Sequence, residues 1–198
     1  VWKQMNRRGL LIFVESSLEL AFYRTVVLTI LNQKKSSIVE DPLIIYKIIN
    51  RIGNHQNSAN RIYQKQIIID YPEVPFDVIL CHDSSVYKFS PKPPLDWELV
   101  ESDLIGAGVQ HVDHIIANKS IEDWFLLDYP GVLDFLNLPQ DTILPEGDGI
   151  TKFKSLYNKT NNVYVRGSES DALVQYLAIN KITSIIHKQL RPLINHLK

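Results

Sequence analysis

The stretch Leu10-Leu11-Ile12-Phe13-Val14-Glu15-Ser16-Ser17-Leu18-Glu19 decides how this chain is read. Five apolar residues in a row end in a carboxylate, and a helical apolar period starts three or four residues later. A short apolar run bounded by a turn reads as a strand buried on both faces, the kind found in parallel sheets. Leu18, Phe22, Val26 and Ile30 then recur every four residues. Leu20, Val27 and Leu31 widen that stripe, so the spacing predicts an amphipathic helix ending near Asn32. Ser16 or Ser17 can cap the helix, and Glu19 lies in its first turn, where an acid complements the helix dipole. Glu15 is left at the carboxyl end of the strand. In open α/β sheets, ligands collect in the crevice at those ends.

A second run, Asp77-Val78-Ile79-Leu80-Cys81-His82-Asp83, ends the same way. Further strands are expected at Ile67–Ile69, within the segment Arg61 to Asp70, and from His111 to Ala117. Strands near Leu10, Ile67, Val78 and Val112 alternate with helical patterns. That order predicts an α/β fold with a mostly parallel central sheet flanked by helices.

Punctuation sets the other boundaries. Asp41-Pro42 reads as a helix start leading through Leu43, Ile44, Tyr46 and Ile48 to a stop at Gly53. Residues Asn54 to Asn60 read as an exposed loop, and Tyr71 to Pro75 as a rigid connector. The proline-rich segment Phe89 to Pro94 is expected to be extended and to overhang the end of the second acidic strand. Asp96 caps a short helix that Gly106 and Gly108 end. Ser120 and Asp123 make an approximate capping box ahead of Trp124, Phe125 and Leu127. Pro130 opens another short helix, and Thr151 to Asn158 has helical spacing. Val163 to Val165 reads as a short strand or a docked segment, and Glu169 to Leu197 as two helical pieces. Residues 1–138 then form the α/β domain and residues 139–198 a helical extension packed on it.

Composition removes several classes. The 198 residues are 45% apolar and 22% charged, ordinary for a globular protein with a full core. The formal charge of −1 argues against strong non-specific nucleic-acid binding, though not against a local basic patch. The single cysteine, Cys81, allows no intrachain disulfide and no cysteine-built metal site. No apolar stretch reaches membrane-spanning length and no secretory signal is visible, so a cytoplasmic location is expected. The chain opens on Val1, which leaves the nature of its start open.

The sequence has no glycine-rich phosphate loop, no dinucleotide fingerprint, no GxSxG elbow and no HExxH. Cys81 lies inside a strand, where a thiol is inert packing. The carboxylates remain. Magnesium takes oxygen ligands and keeps several waters, so a few acids at one sheet edge suffice. Glu15 and Asp83 form the candidate pair, with Glu122 or Asp123 completing it and Lys119 as an assisting cation. The plainer reading makes Glu15 and Asp83 caps of the turns that follow. His82 could serve proton transfer, but alternation along a strand puts it on the face opposite Asp83. His111 and His114 read as strand-surface residues, and His55, His187 and His196 have no evident partners. Asp77 sits at the wrong end of its strand to join the pair. Lys88, Lys92, Lys119, Lys152, Lys154, Lys159 and Arg166 interleave with Tyr87, Phe89, Tyr157 and Tyr164. Cations mixed with aromatics suit a nucleic-acid strand, or simply a solvated surface.

Val14-Glu15 before a helix containing Glu19 resembles the first motif of Toprim domains, usually Val-Glu-Gly. His82-Asp83-Ser84-Ser85 resembles their second, usually Asp-x-Asp. Ser120-Ile-Glu-Asp-Trp-Phe-Leu-Leu is similar to the acidic-aromatic segment of RloB-like proteins. The likeness runs from about Leu10 to Leu138 and points to RloB-like and OLD-type anti-phage defence nucleases. It implies magnesium or manganese as cofactor, DNA or RNA as substrate, and a partner ATPase and a homo-oligomer as assemblies to look for. Glu15 carries over as a general acid/base or metal-contacting glutamate, and Asp83 as a magnesium ligand. Two positions depart from the pattern. Ser16 replaces the glycine, and Ser85 replaces the second aspartate, which removes one charge from the site. A weakened or inactive module that binds nucleic acid or protein is therefore the alternative to a nuclease. A small α/β enzyme on phosphorylated metabolites is a third reading, and it lacks the anion-binding glycine loop.

Overall fold

A computed structural model describes residues 8–33, 43–49, 55–84, 95–166 and 171–197. Four strands form one parallel sheet: β1 (Gly9–Val14), β2 (Leu43–Ile48), β3 (Phe76–Asp83) and β4 (Val112–Ala117), in the order β2-β1-β3-β4. The central strands β1 and β3 are buried along their whole length, which explains why both read as unbroken apolar runs. The α/β class with a helical C-terminal segment is what the sequence led us to expect.

Each face of the sheet has its own core. On one face Leu10, Ile12, Val14, Ile79, Cys81, Ile115 and Ala117 meet helix α1 (Ser17–Gln33) through Leu18, Phe22, Tyr23, Val26, Val27 and Ile30. On the other face Leu11, Phe13, Phe76, Val78 and Leu80 meet Ala59, Tyr63 and Ile67, together with Val100 and Leu104. The first three of these belong to α2 (His55–Ile62) and the π turn Tyr63–Ile67 that follows it. That turn runs into the single helical turn α3 (Ile68–Asp70). Val100 and Leu104 belong to α4 (Trp97–Gly106), which Asp96 caps by accepting from the Leu99 N–H.

After β4 the chain stays on the α1 face. It forms α5 (Ile121–Phe125), a 3-10 turn at Leu126–Asp128, α6 (Tyr129–Phe135) and α7 (Gly149–Lys159). A 3-10 segment at Asp171–Tyr176, α8 (Ile179–Ile185) and α9 (Arg191–His196) complete it. Phe125, Phe153, Leu173, Ile182 and Leu193 from these elements join the core under α1.

Several expectations are corrected. The helix expected from Pro42 is strand β2: Leu43 to Ile48 is rich in β-branched and aromatic residues and pairs in register with β1. Its side chains alternate, Ile44 and Tyr46 toward one core, Leu43 and Ile45 toward the other. The strand expected at Ile67–Ile69 is helical. Ala59, Tyr63 and Ile67 form a buried stripe at spacings of four, while Ile69 is 69% exposed. The same stripe turns the expected loop before Asn60 into α2. Of the two readings of Val163–Val165 the docked segment holds, irregular and buried through Tyr164, whereas the described C-terminal residues form three short helical pieces, not two. The proposed cap Asp41-Pro42, the stop at Gly53, Ser85 and the loop 89–94 with Lys88 and Lys92 lie outside the described residues. So do Tyr87 and Phe89.

Contacts at α6 show how closely the C-terminal segment is fitted. Buried Asp128 accepts from the Ala178 N–H at 2.8 Å and from Lys181 Nζ at 3.2 Å, tying the start of α6 to α8. A Cβ on Gly131 would lie 2.5 Å from Asp128 Oδ2 and against the Tyr176 carbonyl oxygen. The backbone oxygen cannot give way as a flexible side chain would. Gly131→Ala is expected to destabilise the fold by about 2 kcal/mol, read as a lower midpoint in urea unfolding with an unchanged slope.

Candidate functional site

The order of strands fixes where a site can form. The connection from β1 to β2 passes on the α1 face, and the connection from β2 to β3 passes on the α2 face. The winding therefore reverses between β1 and β3. In open α/β sheets the crevice outside the carboxyl ends of the strands at such a reversal is where ligands bind. Glu15 follows the last residue of β1, and Asp83 is the last residue of β3. The two candidate acids thus flank this crevice.

Local chemistry places each acid. Ser16 Oγ accepts from the Glu19 N–H at 3.2 Å, and Glu19 Oε2 in return accepts from the Glu15 N–H at 2.8 Å. This is a capping-box exchange at the start of α1, reaching one residue further back than usual. It holds the Glu15 backbone while leaving its side chain to the crevice. Glu15 Oε1 is buried and has no hydrogen-bond partner among the described residues. Asp83 is 2% exposed and shares a face with Ile79 and Cys81, opposite His82.

Glu122 comes to the same place from α5. It is 1% exposed, and its Oε1 accepts from the Tyr164 hydroxyl at 2.6 Å. Arg166, on the irregular stretch after α7, completes the group. Its Nη2 pairs with Asp83 Oδ2, and its Nε lies 3.2 Å from Glu122 Oε1. Among the described residues the cluster is therefore four acids, Glu15, Glu19, Asp83 and Glu122, around one guanidinium.

One cation cannot balance four carboxylates, of which Glu19, Asp83 and Glu122 are buried and Glu15 is half-buried. Burial first, and then the neighbouring acids, push Glu19 up to about 8, against a lowering pull from the Glu15 N–H and Arg166. Burial likewise pushes Glu15 up to about 7, with Arg166 pulling down and Glu122 pushing up. The cluster holds protons at neutral pH. The consequence for stability has a definite sign. Glu19 ordinarily titrates near 4.5 and in the fold near 8. The stability it contributes is full below about pH 4.5 and is lost as pH rises through about 8. Glu19→Gln keeps an acceptor for the Glu15 N–H and carries no charge. It should match the parent near pH 5 and exceed it by about 2 kcal/mol near pH 9, measured by urea unfolding at both pH values.

Other candidate residues lie elsewhere. Asp123 Oδ2 accepts from Ser120 Oγ at 3.0 Å, and the residue packs against Gly149 at the contact between α5 and α7. The structure thus brings Glu122, and not Asp123, into the crevice. Lys119 sits in the turn after β4 at φ 71°, its N–H donating to Ser84 Oγ at 2.7 Å with its side chain exposed. That bond ties the ends of β3 and β4 together. Tyr157 and Tyr164 pack on one another and on Phe153, so they belong to the core and are not free to stack on bases.

The histidines also find partners. His82 stacks on Trp97 at 4.2 Å between ring centres, and His82 Nε2 lies 3.0 Å from His114 Nδ1. His114 Nε2 in turn lies 2.8 Å from Glu101 Oε1. His196 bridges Asp113 at 2.9 Å and Asp77 at 3.2 Å, and Asp77 also binds Arg8. This second network closes the amino edge of the sheet. A pocket of about 460 Å³ lies beside it, lined by Glu101, Gln110, His111, Asp113 and His196, away from the carboxylate crevice.

No group of three or more His, Cys, Asp or Glu side chains among the described residues is placed to cage a metal ion. The donors nevertheless fit magnesium, which needs only one or two carboxylates besides water and substrate oxygens. Glu15 Oε1, buried without a hydrogen-bond partner among the described residues, is the observation that favours this. Among the described residues, no helix is long and apolar enough to cross a membrane. The chain matches no protein-family model, no curated protein and no solved structure in the comparisons made with each.

Proposed function

We propose that this chain is a magnesium-dependent phosphodiesterase acting on nucleic acid, in the manner of the Toprim-like defence nucleases that its acidic motifs resemble. The observation that carries this reading is the placement of Glu15 and Asp83 at the ends of paired strands β1 and β3, where the sheet reverses its winding. When bound, the ion supplies a Lewis acid for the phosphodiester and an activated water. Asp83 and Glu15 would hold it, and Glu122 would support the arrangement through Tyr164 and Arg166. Exposed Lys119 and Lys154 offer contacts to phosphates.

The test is cleavage of labelled DNA and RNA by the parent and by Glu15→Gln, with and without magnesium. Magnesium-dependent cleavage by the parent, reduced at least about 100-fold in the variant, supports the proposal. Cleavage that is equal in both, or absent from the parent at saturating magnesium, contradicts it. A binding module without turnover is the second reading, and one observation favours it: Asp83 and Glu122 already share a cation in Arg166. That reading predicts nucleic-acid binding with no cleavage in any variant.

A further inference from the structure

Arg166 sits on Asp83, one of the two acids that would hold the proposed ion. Its Nη2 lies on Asp83 Oδ2 and its Nε on Glu122 Oε1, and its charge is felt at Glu15 and Glu19. Asp83 and Glu122 are almost wholly buried, whereas the Arg166 side chain is 34% exposed. The arginine therefore enters from the surface onto acids that are fixed in the core.

Its attachment differs from theirs. Asp83 belongs to a central strand and Glu122 to a helix packed in the core. Arg166 belongs to a stretch without regular structure, of which only Tyr164 is buried between Asn161 and Arg166. Val163 and Val165 on either side are 79% and 58% exposed. Tyr164 is anchored by its hydroxyl on Glu122 and by its ring against Phe153 and Tyr157. Tyr164 is thus the buried anchor of this stretch, two residues before Arg166.

A guanidinium and a divalent ion cannot occupy the same face of Asp83, because like charges in a partly desolvated site repel strongly. We propose that Arg166 is a built-in competing cation, which holds the crevice neutral and closed until a divalent ion, arriving with its phosphate-bearing ligand, displaces it. This rests on the metal-site reading above and adds regulation to it. It assigns Arg166 a gating role: the side chain neutralises Asp83 and Glu122 in the resting state. Once displaced, the exposed guanidinium remains within reach of the crevice, where an anionic ligand can receive it.

The experiment is calorimetric titration of manganese, without nucleic acid, into the parent, Arg166→Gln, Arg166→Lys and Asp83→Ala. Thermal unfolding is followed in parallel with and without the ion. Arg166→Gln is expected to bind manganese at least about 10-fold more tightly than the parent, the removal of one competing charge at short range. Arg166→Lys keeps a cation and should bind like the parent. Arg166→Gln leaves two buried acids without their cation, so its melting temperature should fall and should rise on adding manganese by more than the parent's does. Manganese affinity in Arg166→Gln equal to or weaker than the parent's overturns the proposal, as does a destabilised variant that the ion fails to rescue. If parent and Arg166→Gln bind equally and Asp83→Ala does not bind, the gate alone is wrong and the metal site stands. If no protein binds, the metal site is wrong and the gate falls with it.

Discussion

Asp83→Ala is expected to lower divalent-ion affinity by more than about 100-fold, beyond the range typical of losing a residue that only supports a metal ligand, and to abolish magnesium-dependent cleavage. The substitution removes the carboxylate that the end of β3 delivers to the crevice between β1 and β3. Glu15 would remain, a single acid that burial keeps partly protonated at neutral pH. The fold should survive. Arg166 is partly solvated and keeps its contact with Glu122, so the loss differs from stripping one partner of a wholly buried pair. Asp77→Ala is the matching control. It lies at the other end of the same strand and holds Arg8 and His196, so it should weaken the fold while leaving ion affinity unchanged. Calorimetry for the ion and circular dichroism for the fold separate the two effects.

Phe125→Ala should destabilise the protein by about 4 kcal/mol, the range for truncating a fully buried phenylalanine. Phe125 is 0% exposed and lies at the junction of three elements. Its ring meets Phe22 of α1 edge-on at 5.4 Å and Phe153 of α7 at 6.3 Å. Removing it opens a void between the sheet-covering helix and the C-terminal segment. Both flanking rings are themselves fully buried, which limits how far the site can collapse. α5 also carries Glu122, so the crevice loses support along with the core. Urea unfolding at neutral pH reads the loss directly. A change under about 1 kcal/mol would mean that α5 and α7 do not share a core with α1.

The elements that were legible in the sequence are those whose burial is simple. β1 and β3 are covered on both faces, so their apolar runs stand out, and α1 shows its stripe because one face meets the sheet. Edge strand β2 was hidden. It is only half buried, and the Asp-Pro pair ahead of it is also a helix-start signal. At residues 59–67 the run Ile67-Ile68-Ile69 suggests a strand, while the deciding signal is Ala59, Tyr63 and Ile67 at helical spacing.

The site divides in the same way. Glu15 and Asp83 stand out as candidates because strand ends announce themselves, and Glu122 or Asp123 because both lie in the first turn of a helix after β4. Glu19 was visible only as a first-turn acid; its return bond to the Glu15 N–H needs the capping geometry of Ser16. Arg166 stood among a scatter of basic residues, and nothing in its neighbours says that it returns across 83 positions to Asp83. Tyr164, two residues earlier, was the available clue: an aromatic with exposed valines on both sides marks a point of docking.

The most direct test of the central claim is anomalous diffraction from crystals of the protein soaked in manganese. The account predicts one strong peak in the crevice between β1 and β3, with carboxylate oxygens of Asp83 and Glu15 at roughly 2.1 Å from it, and the Arg166 guanidinium moved off Asp83. A crevice that carries no peak at saturating manganese, with Arg166 still seated on Asp83 and Glu122, would contradict it.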